Sequence, residues 1–182
     1  MTDKLFEVHI RQILDGDKTG LSEIYSEYNP MIYSVIYEIL KNHQNAEDVT
    51  TEFFIKLWQQ SAASYRFGGK HRAWLIKIAH NMAIDFLRTN HDTQSIDALI
   101  EDNDSTFMSS ASVPFADERI VTRIALNQAL ENLADDERLI INLKIMGELT
   151  FREIAGIVKQ PIGTVTWKYA NSVKKLRRYY HD

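Results

Sequence analysis

The sequence predicts an all-α protein made of two small helical domains. Apolar residues recur at spacings of three and four along most of the chain, and no stretch alternates between polar and apolar residues as a strand would. Hydrophobic residues fill 45% of the 182 positions, which is enough for packed cores. A polar, acidic stretch interrupts the helical pattern, so we predict a flexible acidic linker there. The predicted boundaries are 1–91, 92–116 and 117–182.

In the first half of the chain, the sequence pattern predicts several helices, with interruptions at a proline and at a pair of glycines. Apolar residues at helical spacing cover 19–41. Proline lacks an amide donor and disfavours helix in the residue before it, so two helices are expected to meet at Pro30, with a kink or break at Asn29. The other predicted elements are a helix over 45–60, a loop around Gly68 and Gly69 over 64–70, and a helix over 71–90.

Beyond the linker the periodicity predicts four more helices, over 117–133, 135–147, 150–158 and 161–179. The last two, with the turn between them, have the parts of a helix-turn-helix DNA reader. Pro161 suits the first turn of the second helix, where its missing amide would be unsatisfied in any case. The same helix carries a run of cations: Lys168, Lys174, Lys175, Arg177 and Arg178.

The second helix of this motif has residues suited to phosphate and to base edges. Gly163 and Thr164 place free backbone amides and a hydroxyl near its N-terminus, where a phosphate oxygen is stabilised. The candidates for base contacts on one exposed face are Thr166, Trp167, Ala170 and Asn171, with Lys174 one turn further. The alternative is that Trp167 is buried and that its neighbours Val165, Tyr169 and Val173 merely pack.

The net charge of −4 conceals strong segregation along the chain. Residues 62–91 hold five lysines and arginines against one carboxylate, and residues 159–182 hold six against one. Between them, residues 92–118 carry seven carboxylates and no lysine or arginine. Two basic segments predict two surfaces that face phosphates, because each cation beside a phosphate releases a condensed counterion. Two solvated helix faces are the alternative.

Several classes of protein are disfavoured by what the sequence lacks. It has no cysteine, which excludes disulfides, thiolate zinc sites and cysteine nucleophiles. The six histidines are scattered, and no glycine-rich phosphate loop follows a strand, so we expect no enzyme, no cofactor and no small-molecule substrate. His71 and His80 are interpreted as polar residues on a DNA-facing side. Without a signal peptide or a membrane-spanning stretch, a cytoplasmic location is expected.

Both halves resemble bacterial RNA polymerase sigma factors of the sigma-70 family. The segments that begin at Gly16, Ala46 and Trp74 are similar to conserved region two, and the segment from Leu133 through Arg178 is similar to region four. The short linker and the lack of another domain resemble the extracytoplasmic-function (ECF) group. The resemblance implies a subunit that directs promoter-specific initiation by recognising the minus-ten and minus-thirty-five elements and by helping to melt DNA.

The resemblance also implies the protein's partners. The helix that contains Asp48, Glu52 and Lys56 is expected to dock on the clamp of the largest catalytic subunit of core RNA polymerase. A second contact is expected with the flap of the second subunit, and an anti-sigma factor is a further expected partner. Asp48 and Glu52 lie four residues apart on one helix face, so they present carboxylates together. A solvated acidic face is the alternative, and Thr51 replaces the glutamine that is usual in the family.

For promoter DNA, the resemblance divides the contacts between the two halves. A mobile basic loop and the helix after it are expected to capture an unstacked base of the minus-ten element. The expected residues there are Arg66, Lys70, Arg72, Asn81 and Arg88, with Trp74 interpreted as core and Asp85 as the structural partner of Arg88. The expected residues at the minus-thirty-five element are Gly163, Thr164, Thr166, Trp167, Lys168, Asn171, Lys174 and Lys175.

Departures from the family at the base-facing positions predict a different promoter preference. Arginines are frequent there and bind guanine, but this chain has Thr166, Trp167 and Asn171, of which Asn171 favours adenine and the other two suit a thymine methyl. The acidic linker is interpreted either as a mimic of nucleic acid within the polymerase or as a plain tether. A free-standing helix-turn-helix regulator is the alternative function, and it predicts specific duplex binding without polymerase.

Overall fold

The structure is a computed structural model that describes residues 1–59, 61–93, 130 and 132–179, without the side chains of 61, 91–93 and 179. Within these residues it has seven α-helices and no strand, which confirms the all-α prediction. They are α1 (Asp3–Leu14), α2 (Lys18–Leu40), α3 (His43–Gln59), α4 (His71–Thr93), α5 (Asp135–Ile145), α6 (Phe151–Val158) and α7 (Ile162–Tyr179), with a 3₁₀ helix at Ser61–Ser64 between α3 and α4. The predicted helix over 117–133 and the predicted linker fall almost wholly outside the described residues.

The first helix, α1, was not among the predicted elements. Thr2 caps it, since its hydroxyl accepts a hydrogen bond from the Leu5 amide at 3.3 Å. Phe6 and Ile10 are completely buried on its inner face, whereas Leu5 and Val8 are exposed. Phe6, Ile10 and Ile13 follow the helical spacing of four and three, so the pattern was present in the sequence and was missed.

The expected break at Pro30 is wrong, because α2 runs through it as one 23-residue helix. Pro30 is exposed to solvent, while Tyr28, Ile32 and Val35 are buried on the opposite side of α2. Proline inside a helix costs about 3 kcal/mol, but its fixed φ is compatible with helix. Burial of a large side chain contributes about 1.5–3 kcal/mol, so packing on both sides of Pro30 outweighs the local cost.

Replacing Pro30 with alanine is therefore expected to stabilise the protein by about 1–2 kcal/mol. Alanine restores an amide donor inside α2. Proline lowers the conformational entropy of the unaltered chain when it is unfolded, and losing this effect offsets only part of the gain. Urea denaturation followed by circular dichroism measures the difference. Pro161→Ala is the matched control, since Pro161 precedes a helix and lacks no helical hydrogen bond; a loss of stability in Pro30→Ala would contradict the expectation.

The long helix α2 is the centre of the fold. It packs against α1, α3 and α4 in the first half of the chain and against α5 in the second. On α3 the inner face is formed by Val49, Phe53 and Leu57, all buried, as the periodicity predicted. These contacts leave the opposite face of α3 and one face of α4 in solvent.

The second half of the chain packs directly on the first. Ile140 and Leu143 of α5 are buried in the same apolar core as the residues of α2 and α4. The turn after α5 comes so close to α4 that a Cβ on Gly147 would lie 2.7 Å from Ile76 Cδ1 and 2.6 Å from the Leu143 carbonyl oxygen. Glycine is therefore required there. The division into two domains stays a prediction from the sequence.

Candidate functional site

The helix-turn-helix motif is built from α6, a short turn and α7, and local hydrogen bonds set its ends. Thr150 and Glu153 cap α6 reciprocally: the Thr150 amide donates to Glu153 Oε2 at 2.8 Å, and the Glu153 amide donates to Thr150 Oγ1 at 3.3 Å. Lys159 ends α6 in the left-handed conformation, with φ of 54°. The Pro161 carbonyl then accepts from the Val165 amide at 3.1 Å and starts α7.

One face of α7 points into solvent and carries most of the groups suited to DNA. Trp167 is 64% exposed, which is unusual for so large an apolar side chain and contradicts the alternative that it is buried. Val165, by contrast, is fully buried on the inner face. The other exposed residues of α7 follow the same helical stripe: Ile162, Gly163, Ala170, Lys174, Arg177 and Arg178.

Three of the predicted DNA contacts instead face α5 and are bonded to its carboxylates. Lys168 forms an ion pair with Asp136 and donates to Gln160 Oε1 at 3.0 Å. Asn171 Nδ2 donates to Glu137 Oε1 at 3.0 Å, and Lys175 Nζ lies 2.6 Å from Glu137 Oε2. The helical spacing of Asn171 and Lys168 did not reveal this, because both positions border the exposed stripe.

Glu137 is the carboxylate that holds α7 against α5. Burial alone would raise its pKa, but hydrogen bonds from Lys175, from Asn171 and from the Ala134 amide outweigh burial and lower the pKa. The ion pair with Lys168 likewise lowers the pKa of Asp136. Both groups are therefore charged at neutral pH, and they neutralise cations that would otherwise face solvent. No sequence motif marked these two acidic residues.

The Thr166 hydroxyl, near the start of α7, is hydrogen-bonded to the helix backbone. Thr166 Oγ1 donates toward the carbonyl oxygens of Ile162 and Gly163, each at 3.0 Å. Its hydrogen is thus directed at the helix itself, which leaves the methyl group and an oxygen lone pair for a partner. Thr164 is half-buried.

The glycine loop before α4 is held in one conformation by hydrogen bonds from both sides. Tyr65 is buried and donates to the Gly69 carbonyl oxygen at 3.1 Å, and the Gly68 amide donates to Glu7 Oε1 at 2.5 Å. Gly68 has φ of 80°, a conformation that favours glycine. The loop therefore presents its tip, between Arg66 and Gly68, in a defined position.

An aromatic side chain at that tip was missed from the sequence. Phe67 is 46% exposed, and it rests edge-on against Tyr65, with ring centroids 5.6 Å apart. The Arg11 guanidinium lies 5.1 Å from its ring centroid. The signal was available, since Phe67 stands between a cation and the glycine pair in the predicted loop.

The predicted minus-ten residues lie around this loop and along α4, but they differ in whether they are free. Arg66 and Asn81 are exposed. Lys70 Nζ lies 3.1 Å from Glu153 Oε1, and Arg72 Nη1 lies 3.3 Å from Glu148 Oε1, so carboxylates of the second half contact both cations. Arg88 is exposed and pairs with Asp85 at 3.2 Å, which confirms the predicted pair.

The interpretation of His71 and His80 as DNA-facing residues is wrong, because both are buried. His71 Nε2 accepts a hydrogen bond from the Tyr28 hydroxyl at 2.5 Å, and its Nδ1 donates to Asp3. Burial lowers the pKa of His71 and of His80, so both rings are neutral at pH 7. Trp74 packs against the core at 5.1 Å from Tyr65, as expected.

The outer face of α3 carries the predicted polymerase contacts in solvent. Asp48 and Glu52 are exposed on adjacent turns, and Lys56 Nζ lies 2.7 Å from Glu52 Oε1. Ile55, which the sequence did not single out, is 49% exposed beside Glu52. Single exposed apolar side chains are common on protein surfaces, so Ile55 by itself does not mark an interface.

The residues that the structure describes bear on two further features, metal binding and membrane crossing. No group of histidine and carboxylate side chains there is arranged to hold a metal ion. Among the described helices, none combines the length and the apolar character that crossing a membrane requires.

The sequence of this chain is similar to a sigma-70 family model and to ECF sigma factors. The family model for Sigma-70 region 2 matches residues 24–93. The ECF RNA polymerase sigma factor SigW of Bacillus subtilis (strain 168) is 28% identical over 186 residues, which cover 99% of this chain and 99% of SigW. The ECF RNA polymerase sigma factor SigK of Mycobacterium tuberculosis (strain ATCC 25618 / H37Rv) is 23% identical over 92% of this chain and 89% of SigK.

Comparisons of structure support the same fold. CnrH, solved in complex with the cytosolic domain of CnrY, superimposes with a TM-score of 0.62 at 14% identity, over 97% of each chain. The sigma factor RpoE from Bartonella quintana, solved in complex with the anti-sigma factor NepR, gives a TM-score of 0.64 at 21% identity, over 90% of this chain and 98% of RpoE.

Proposed function

We propose that this chain is a sigma-70 family sigma factor of the ECF group and that its two halves divide promoter recognition. The observation that carries the proposal is the division of α7 into an outward face with Trp167 and Lys174 and an inward face bonded to α5. The outward face reads the minus-thirty-five element in the major groove. The loop around Phe67 and the exposed face of α4 capture the melted minus-ten strand.

At the minus-thirty-five element, the exposed stripe of α7 supplies both grip and selection. Lys174, Arg177 and Arg178 are exposed and suited to phosphates, which bind without regard to sequence. Trp167 and the methyl group of Thr166 suit apolar contact with a thymine methyl. Asn171 faces α5 and donates an amide hydrogen to Glu137, so contact with a base requires its side chain to turn toward the groove. Its proposed preference for adenine applies to that turned position.

Because their pairing differs, Lys174 and Lys168 are expected to contribute differently to DNA binding. Lys174→Ala should make the plot of log affinity against log salt concentration less steep, by about 1 in the magnitude of its negative slope. The reason is that an exposed cation displaces a counterion from the phosphates. Lys168→Ala should leave the slope unchanged, because Asp136 already neutralises that ammonium group. Fluorescence anisotropy of holoenzyme on a promoter duplex at several salt concentrations measures both slopes. Equal falls would mean that Lys168 leaves Asp136 when DNA binds.

At the minus-ten element, aromatic stacking and amide hydrogen bonds hold an unstacked base. Phe67 is exposed at a fixed loop tip, and stacking contributes about 1–3 kcal/mol per base. Asn81 is exposed on α4, and its amide group, which bonds to the His80 ring in the free protein, has both donors and an acceptor. Arg66, Lys70, Arg72 and Arg88 supply the positive charge that draws the strand to this surface.

Core polymerase is proposed to bind the outer face of α3 through Asp48, Glu52 and Lys56, with Ile55 as an apolar contact. An anti-sigma factor is proposed as a further partner, by analogy with the solved complexes of RpoE with NepR and of CnrH with CnrY. The flap of the second catalytic subunit is proposed to contact the second half of the chain. The acidic linker stays a prediction from the sequence.

The direct test is to mix the chain with bacterial core polymerase and to sequence the transcript starts that it directs on genomic DNA. A discrete set of starts, preceded by shared upstream elements, is expected only when the chain is present. The alternative of a free-standing regulator predicts specific duplex binding by the chain alone and no new starts with core polymerase. That pattern would overturn the proposal.

A further inference from the structure

The first three turns of α7 present mainly apolar groups to solvent. A recognition helix contacts base edges with residues near its N-terminus, so these turns matter most for sequence preference. The residues of this outward stripe are Ile162, Gly163, Thr166, Trp167 and Ala170. None of them carries an amide, ammonium or guanidinium side chain. Lys174, which continues the stripe, lies about 18 Å along the helix axis from Ile162, where phosphates rather than bases are in reach.

The lysine and asparagine side chains of these turns lie on a second stripe, about 100° round the helix axis from the outward stripe. Lysine binds guanine and asparagine binds adenine through paired hydrogen bonds, so both residue types are suited to reading bases. Here Lys168 forms an ion pair with Asp136 instead. Asn171 Nδ2 and Lys175 Nζ bond to the two oxygens of Glu137, at 3.0 Å and 2.6 Å. We call Lys168, Asn171 and Lys175 the bonded stripe.

Glu137 is a fixed partner for the bonded stripe. Its side chain is only 7% exposed, and it accepts a third hydrogen bond from the Ala134 amide at 3.2 Å, at the start of α5. A buried carboxylate that loses a donor keeps the cost of its desolvation. If Asn171 turned toward a base, a hydrogen bond to a charged group would be exchanged for neutral ones, which are weaker. The contacts to α5 are therefore expected to persist when α7 binds DNA.

We propose that two carboxylates outside the DNA-reading helix, Asp136 and Glu137, set the base preference of α7. They are positioning residues, because they hold the bonded stripe away from the bases and leave selection to the outward stripe. The outward stripe then recognises thymine by its 5-methyl group, through apolar contact with Trp167 and the Thr166 methyl. This inference rests on the proposed role of α7 at the minus-thirty-five element, and it adds a determinant of specificity on α5.

The first experiment compares the base preferences of variants that change the net charge equally. Each tagged protein is mixed with core polymerase, selects duplexes from a random-sequence library, and the retained duplexes are sequenced. Asp136→Asn releases Lys168 and is expected to enrich guanine at one position by at least about 5-fold, the lower end of what a paired base contact contributes. Asp135→Asn is the matched control, since Asp135 lies in the same turn but pairs with Arg138. Unchanged preferences in Asp136→Asn would overturn the proposal.

Further variants show whether the released side chain is the reader. Lys168→Ala added to Asp136→Asn should remove the guanine preference, whereas Lys168→Ala alone should leave the original preferences as they are. Guanine enrichment that persists without Lys168 would count against the proposal. A purely structural role of Asp136 would lower affinity for every duplex alike and shift no preference.

Glu137→Gln applies the same comparison to Asn171. The change weakens the bond between the two side chains and is expected to add a preference for adenine, which Asn171→Ala should remove. No added preference in a folded Glu137→Gln protein would contradict the role of Glu137. If this variant does not fold, the Asp136 variants decide the result, because the Asp136 side chain is 45% exposed and its change leaves the core intact.

The second experiment removes only the thymine methyl groups. In the duplexes that the unaltered chain selects, each thymine is replaced in turn by uracil, which lacks the 5-methyl group and keeps the base pair. Affinity is expected to fall about 4-fold at one or more positions, the effect of one buried methyl group. Trp167→Ala should abolish the difference between thymine and uracil. Equal affinity for the two bases at every position would overturn reading by methyl groups.

Transcription separates this inference from the function on which it rests. If the chain directs starts with core polymerase but Asp136→Asn selects the same duplexes, the proposed function stands and the role of the α5 carboxylates fails. If the chain directs no starts but the two proteins select different duplexes, the carboxylates do set the preference of α7 and the sigma-factor role fails.

Discussion

Lysine at both Asp48 and Glu52 is expected to weaken binding to core RNA polymerase by more than about 100-fold, because the proposed contact pairs these carboxylates with basic residues of the polymerase and the variant puts like charges there. The two carboxylates are exposed on successive turns of α3, and the buried side of that helix is formed by Val49, Phe53 and Leu57. The change therefore reverses charge on the outer face without touching the core. Competition against a labelled sigma factor for core polymerase measures the affinity.

The control for this change keeps the net charge equal. Lysine at both Asp15 and Glu23, exposed carboxylates outside α3, alters charge by the same amount. It should leave polymerase affinity within a few-fold, and both double variants should unfold at nearly the same denaturant concentration as the unaltered chain. A similar loss in the two variants would show that overall charge, and not the α3 face, governs binding.

Trp167→Ala is expected to reduce binding to the upstream promoter element by about 30-fold, as truncation of a buried interface tryptophan does when it costs about 2 kcal/mol. In the free protein Trp167 is 64% exposed, so its removal should change the free energy of unfolding by less than about 0.5 kcal/mol. Loss of DNA binding without loss of stability is the distinctive result. Holoenzyme binding to promoter duplexes and urea denaturation measure the two quantities.

Ile145→Ala is the matched control for the tryptophan variant. Ile145 is 60% exposed at the end of α5, so it is another large apolar side chain in solvent, but it lies outside α7. Its replacement should leave promoter binding unchanged. If both variants bind promoter DNA as the unaltered chain does, Trp167 is not a base-reading residue and the outward stripe of α7 acts through its cations alone.

Helical spacing in the sequence predicted some elements of the fold correctly and others wrongly. Helical spacing was sufficient for α3, where Phe53 and Leu57 are buried as expected, and for the pair of Asp85 and Arg88. It failed at Pro30, since the local cost of proline is smaller than the stabilisation from packing α2 against four other helices. For α1 the buried residues Phe6, Ile10 and Ile13 do follow the helical spacing, so this helix was predictable but was missed.

The candidate site divides in the same way. Sequence alone identified the basic loop, the helix-turn-helix and the exposed tryptophan, because each depends on residues close together in the chain. It did not show that Lys168, Asn171 and Lys175 are bonded to Asp136 and Glu137, which lie more than thirty positions away. Nor did it single out Phe67, whose importance depends on a loop conformation that Glu7 and Tyr65 hold.

The sequence by itself determined that this protein is helical, that its last two helices form a helix-turn-helix and that it resembles sigma factors, since periodicity, turn residues and local charge depend on residues close together in the chain. Only the tertiary structure decided which cations are free to bind DNA. Lys70 and Arg72 meet Glu153 and Glu148 only when the second half packs on the first. Electrostatic pairing depends on distance in space, so the availability of a charge cannot be read from its position in the sequence.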